Sequence, residues 1–268
     1  MDLGDVRGFV LDVDGTLVHR GRDGSLHVQP GAVELIERIR AGGRRLVLFT
    51  NGSHVAPQTF AGELRAAGLP VSDEEFLTPL ISVRYHLRAR GLERVLLFGG
   101  DAARGYLEKT GVRVVDDGRV DAVFVAHADA VDFAKLEQAA RAVIAGARLL
   151  TASYQPAYAG ADGPIFSRGA MTAAALAKAT EVRPAVVGKP SRAALLAISD
   201  RLGSPTQEIA VIGDDVRMDI ALGRLGGART VLVRSGMSGH VDLDAVPERF
   251  RPDTAVEGVA ELLDRLDS

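Results

Sequence analysis

Phe9-Val10-Leu11-Asp12-Val13-Asp14-Gly15-Thr16 starts as an apolar run and ends in two acids, a glycine and a hydroxyl. A short run of branched apolar residues reads as a strand buried on both faces, the kind found in a parallel sheet covered by helices. The pattern recurs at Leu46–Thr50, Val95–Phe98, Ala122–Val125, Arg148–Thr151, Ala185–Gly188, Ile209–Gly213 and Thr230–Val233. Amphipathic stretches separate the runs. Ala32–Ala41 sets Val33, Ile36 and Ile39 on one stripe and stops at Gly42-Gly43, and Leu195–Leu202 stops at Gly203. Strands alternating with helices predict an α/β fold with right-handed crossovers.

Three further runs end in polar residues: Thr50-Asn51-Gly52-Ser53, Gly188-Lys189-Pro190, and Gly213-Asp214-Asp215 with Asp219 close behind. Ligands of open parallel α/β sheets bind outside the carboxyl ends of the strands. If the four runs are neighbouring strands, their polar ends share one crevice. Each piece alone also reads as a turn, a helix cap or a surface loop. Together they supply hard oxygen donors (Asp12, Asp14, Asp214), an anion-seeking lysine (Lys189), and hydrogen-bond donors in Thr50 and Asn51. Gly15, Gly52, Gly188 and Gly213 permit close backbone approach. Carboxylates without nearby histidine or cysteine suit Mg2+. The set describes a phosphoryl site: Asp12 can attack phosphorus, Asp14 can act as general acid and then base, and the metal and Lys189 neutralise the transferring group.

The chain has 268 residues, a formal charge of −3, 47% hydrophobic and 25% charged residues, and no cysteine. This is the balance of a globular protein, and it excludes disulfides, thiolate metal sites and a cysteine nucleophile. The mild acidity argues against nucleic acid as a partner. The N-terminus has no basic stretch before an apolar run, and no apolar run is long enough for a membrane span, so the expected location is the cytoplasm. Residues 80–182 carry a charge of +2 against −5 for the remainder. That contrast, with the irregular stretch Ala152–Gly169, predicts an inserted second domain over 80–182 and a first domain built from 1–79 and 183–268.

These residues resemble the haloacid dehalogenase superfamily. Asp12 to Thr16 match its Asp-x-Asp-Gly-Thr motif, Thr50 its second motif, Lys189 its third, and Gly213, Asp214 and Asp219 its acidic fourth. The Thr-Asn-Gly-Ser and Val-Gly-Lys-Pro forms, with a large insert between them, look like the class IIA branch of phosphatases. The resemblance implies a Rossmann-like three-layer core with a parallel sheet, an inserted α/β cap domain, and Mg2+. It also implies Asp12 as nucleophile and ligand, Asp14 as acid/base and as ligand through its backbone carbonyl, Asp214 as ligand, and Asp219 as accessory acid at the metal. The expected substrate is a small phosphorylated metabolite held by Thr50, Asn51, Gly52 and Lys189, and self-association through the cap is compatible with this reading. A phosphomutase using the same aspartyl-phosphate and a non-catalytic phospho-ligand binder are the rival readings.

The insert departs from the family pattern at Leu150-Thr151-Ala152-Ser153-Tyr154-Gln155-Pro156 and at Ser167-Arg168-Gly169-Ala170. The expectation is that the loop Ala152–Gly163, with Tyr154 and Tyr158, selects the substrate. Phe98-Gly99-Gly100-Asp101 lacks the spacing of a nucleotide fingerprint and reads as a strand-to-helix turn. His19, His27, His54, His86, His127 and His240 are scattered and read as loop or surface residues.

Overall fold

The computed structural model describes residues 3–21, 23–158 and 163–266. All eight apolar runs form strands, divided between two parallel sheets. The first sheet runs Thr254–Val256, Arg229–Val233, Ile209–Gly213, Gly8–Leu11, Arg45–Phe49, Phe76–Leu77. The second runs Ala185–Val186, Arg148–Thr151, Ala122–Val125, Arg94–Phe98, Arg113–Val114.

Alternation along each strand builds three layers around each sheet. Phe9 and Leu11 pack with Leu35, Ile36 and Ile39 of the helix Ala32–Ala41 and with Phe60 and Leu64 of the helix Pro57–Ala66. Val10 faces the opposite way, among Ile198 of the helix Arg192–Leu202 and Leu222. In the second sheet Leu97 and Phe124 share a cluster with Leu80 and Leu87 of the helix Pro79–Arg90. Phe98 and Val125 face Val143 and Leu176. Burying one such side chain stabilises by about 1.5–3 kcal/mol, which is why strands covered on both faces carry almost no polar residues.

The helix over Ala32–Ala41 has the expected bounds, with Glu34 in its first turn and Arg38 and Arg40 in its last, each complementing the helix dipole. Val33 lies at the margin of the stripe, and Ala32 and Leu35 are in its buried centre. Phe98 to Asp101 is the expected strand-to-helix turn, leading into the helix Asp101–Lys109. Two antiparallel hairpins had no sequence signal: Val18–Arg20 with Leu26–Val28, and Ala157–Tyr158 with Ile165–Phe166. Their strands are two or three residues long, too short for alternation to register.

One expectation is corrected. The run beginning at Ala185 is not a neighbour of the other three motif strands. It is an edge strand of the second sheet, with Ala185 opposite Leu150 and Val186 opposite Thr151. Lys189 reaches the first sheet because the chain crosses over immediately afterwards. No described helix is long and apolar enough to cross a membrane.

Candidate active site

The strand Gly8–Leu11 lies between Arg45–Phe49 and Ile209–Gly213 in register, with Leu11 opposite both Leu48 and Ile212. The segments starting at Asp12, Thr50 and Asp214 therefore leave the sheet side by side. Asp12 extends the ladder by one bond, its N–H donating to the Ile212 carbonyl at 2.9 Å. At Gly15, φ is +88°, and a β-carbon there would run into the Asp214 carboxylate, so the turn needs glycine.

Asn51 couples the two sheets. Its Oδ1 accepts the Lys189 N–H at 2.7 Å and its Nδ2 donates to the Lys189 carbonyl at 2.9 Å. The sequence reading gave Asn51 to an anion, whereas both ends of its amide hold the Lys189 backbone. Gly188 packs so closely on Asn51 and the Ala152 carbonyl that a β-carbon would collide with both. Lys189 is thus delivered buried, its Nζ 2.5 Å from Asp12 Oδ1 and 2.6 Å from Asp219 Oδ1. The other Asp12 oxygen accepts from the Thr16 hydroxyl at 3.1 Å.

Asp12, Asp214 and Asp219 each present a carboxylate oxygen within 4.8 Å of the others, and all three are buried. Asp219 rides on a widened helical turn over Val216–Ile220, of the kind that recurs at functional sites. Asp214 also accepts the Met237 N–H at 2.6 Å. Burial, then the charges of Asp12 and Asp219, raises the Asp214 carboxyl well above the ordinary range. Burial raises Asp219 to about 7, against the pull of Lys189. For Lys189 burial acts downward, but the charges of Asp12 and Asp219 outweigh it and raise the ammonium. One cation among three buried carboxylates leaves an excess of negative charge that only protons or a further cation can relieve. The donors are all oxygen, which fits Mg2+.

The Asp14 carboxylate lies outside that trio. Thr50 Oγ1 donates to it at 3.4 Å and Arg20 Nε approaches it at 3.4 Å. Burial raises the Asp14 carboxyl, and the Arg20 guanidinium partly offsets this. The Gly52 N–H is turned to Thr50 Oγ1 at 3.0 Å. The Asp215 carboxylate caps the turn after it, accepting the N–H groups of Arg217 and Met218 at 2.6 and 3.2 Å, while its own N–H donates to Asp219 Oδ2 at 3.1 Å.

A cavity of ≈ 260 Å³ opens over Asp12, Asp14 and Lys189. Its far wall comes from the second sheet's loops, and the His127 N–H bonds Ser53 Oγ at 3.0 Å across the junction. Tyr158 lines this cavity, its hydroxyl pKa raised by burial and then by the Asp14 charge. Tyr154, expected beside it, lines a separate groove instead, and residues 159–162 of the expected selecting loop lie outside the described residues. Arg20, His54 and His127 are cavity residues that the sequence reading missed. The rings of His54 and His127 meet at 5.6 Å, and burial followed by the His127 charge lowers His54 to about 4, so His54 can serve as a neutral wall near pH 7. Arg20 had a faint signal, a cation six residues after Asp14; the histidine pair had none, because only the topology joins positions 54 and 127.

Family models match this chain in two places: a haloacid dehalogenase-like hydrolase model over residues 9–113 and a HAD-hydrolase-like model over residues 186–262. The phospholysine phosphohistidine inorganic pyrophosphate phosphatase of Xenopus laevis is 31% identical over 235 residues, 86% of this chain and 84% of that one. The ribonucleotide monophosphatase NagD of Escherichia coli K12 is 29% identical over 96% of this chain and 98% of its own. The glycerol phosphate phosphatase Rv1692 of Mycobacterium tuberculosis, solved with magnesium, superposes with a TM-score of 0.84 at 26% identity, covering 99% of this chain and 78% of that one.

Proposed function

This chain belongs to the haloacid dehalogenase superfamily, in its class IIA branch, and is a phosphatase; from that premise we propose that it hydrolyses monoesters of small phosphorylated metabolites through an aspartyl-phosphate on Asp12. The carrying observation is Asp12 itself. It directly follows the strand Gly8–Leu11, is fixed by Lys189 and Thr16, and lies two residues before an acid, Asp14, whose proton is held more tightly than usual.

In the proposed reaction a carboxylate oxygen of Asp12 attacks phosphorus and the bond to the ester oxygen breaks. Asp14 gives its proton to the departing oxygen. Asp14 then takes a proton from water, whose oxygen attacks the phosphoryl group, releasing phosphate and restoring Asp12. Lys189 stabilises the negative charge, and Thr50 and the backbone around Gly52 line the phosphoryl pocket. Asp12, Asp214 and Asp219, with the Asp14 carbonyl, would hold Mg2+, which supplies charge neutralisation at the transferring group. Residues 80–182 would act as a cap over the core built from 1–79 and 183–268, excluding water when closed, with Tyr158, His54 and His127 bordering the leaving group.

Phosphate release from an aryl phosphate with Mg2+ tests the reading. The wild type should turn over and Asp12→Asn should lose activity by about 10³-fold or more, an effect of about 4 kcal/mol. Full activity in folded Asp12→Asn protein would sink the mechanism.

A further inference from the structure

Beside the catalytic cavity, with which it shares Gln155 and Lys189, lies a second groove of ≈ 720 Å³. It sits where the helices Pro79–Arg90 and Arg192–Leu202 meet the crossover before Lys189. Arg90, Arg183, Arg192 and Arg217 line it, all exposed, and no acidic side chain does. Other arginines are committed to acids, among them Arg20 to Asp14 and Glu63, Arg40 to Glu75 and Arg224 to Asp253. Among the described residues none of the four groove arginines forms a salt bridge. These four come from four separate segments, so periodicity on one helix face does not account for their meeting. His86, also on the groove wall, has its proton affinity lowered to about 4, first through burial and then through the charges of Arg90 and Arg148.

Four cations sharing one concave surface repel one another unless a counter-charge joins them. Guanidinium groups are weakly hydrated forks matched to phosphate oxygens, and the volume lies within the usual range for a small-ligand site. The catalytic lysine also borders this groove, but its ammonium is engaged by Asp12 and Asp219. We propose that this groove binds a small anion bearing two or more phosphate-type charges, at a site distinct from the catalytic cavity. Two sources share that chemistry, free diphosphate and the diphosphate of a nucleotide, and Tyr154, exposed on the groove wall, offers a ring to the second.

The test is calorimetric titration of the Mg2+-loaded protein with methylenediphosphonate, whose P–C–P bridge cannot be hydrolysed, while orthovanadate saturates the catalytic cavity. Binding should persist under vanadate. In Arg90→Gln/Arg183→Gln it should weaken by about tenfold or more, the effect of losing two charge-assisted hydrogen bonds. Aryl phosphatase activity of that variant should stay within about twofold of wild type, since both changes are on the surface. Retained activity shows that the variant folds, and Arg90→Lys/Arg183→Lys, which keeps the charge, should restore part of the affinity. An α,β-methylene nucleoside diphosphate titrated in parallel separates the sources: tighter binding that Tyr154→Ala removes identifies the nucleotide, and equal binding identifies the diphosphate group alone. Binding that vanadate abolishes, or that is the same in wild type and the Gln variant, overturns the proposal.

Discussion

Asp12 and Asp14 are two residues apart and sit in different electrostatic settings. Asp12 shares Lys189 with Asp219, while Asp14 is held by Thr50 and Arg20, and burial makes it keep its proton more tightly than an ordinary carboxyl. The division suits a nucleophile and an acid. It predicts that Asp14→Asn slows hydrolysis of alkyl phosphates far more than of aryl phosphates, because an aryl oxide departs with little help from a proton. A leaving-group series of esters measures this, and equal losses across the series would remove Asp14 from the acid role. The meeting of Asp12, Asp14, Thr50 and Lys189 in one cavity was legible in the sequence because short motifs mark them. Tyr154 was not, since its spacing from Tyr158 says nothing about which side of a loop each one takes. The link made by Asn51 is equally hidden, because its backbone partner, Lys189, is 138 residues away.

At the scale of elements, strand existence was plain and strand partnership was not. Apolar runs marked eight of the eleven strands described in the two parallel sheets, since burial on both faces forces that composition, and missed the short strands Phe76–Leu77, Arg113–Val114 and Thr254–Val256. The placement of Ala185–Val186 in the second sheet was hidden, because its two residues look the same beside either neighbour. The hairpin at Val18–Arg20, which brings Arg20 to Asp14, was hidden by its length. The crossover makes Asn51 the link between the Thr50 loop and the Lys189 loop. Asn51→Ala should leave two Lys189 backbone groups without their partner, at a cost of about 1–3 kcal/mol, and let Lys189 drift from Asp12. The expected outcome is a lower melting temperature together with a fall in kcat. A variant with native kcat and reduced stability alone would make the amide a structural staple with no influence on the lysine.

At the scale of the whole molecule, the chain concentrates buried negative charge where its elements converge. The metal-free fold therefore bears a cost that Mg2+ should lift. Mg2+ should raise the melting temperature of the wild type, by about 2.7 kcal/mol of stabilisation at a hundredfold excess over Kd. Asp214→Asn should blunt the gain and need more Mg2+ for activity. The pH dependence has a definite sign. Asp214 and Asp219 are raised in the folded state, Asp219 to about 7, so the metal-free protein binds more protons folded than unfolded between the ordinary carboxylate range and about 7. Their contribution to stability is complete below that window and is lost as pH rises through it; melting curves with chelator across pH 5 to 8 should show the loss, and Mg2+ should suppress it. A metal-free protein unaffected by Mg2+ in both stability and activity would mean that the acidic trio has been misread.

The central claim, a phosphoryl group carried on Asp12, is tested most directly by trapping it. Asp14→Asn should still form the intermediate from an aryl phosphate but lack the base that hydrolyses it, so the intermediate should accumulate. Acid quenching, borohydride reduction and peptide mapping by mass spectrometry then locate the modified acid. Reduction is expected at Asp12 and at no other carboxylate, dependent on substrate and Mg2+. Modification at a different acid, or an unmodified Asp12 in protein that still consumes the ester, would contradict it.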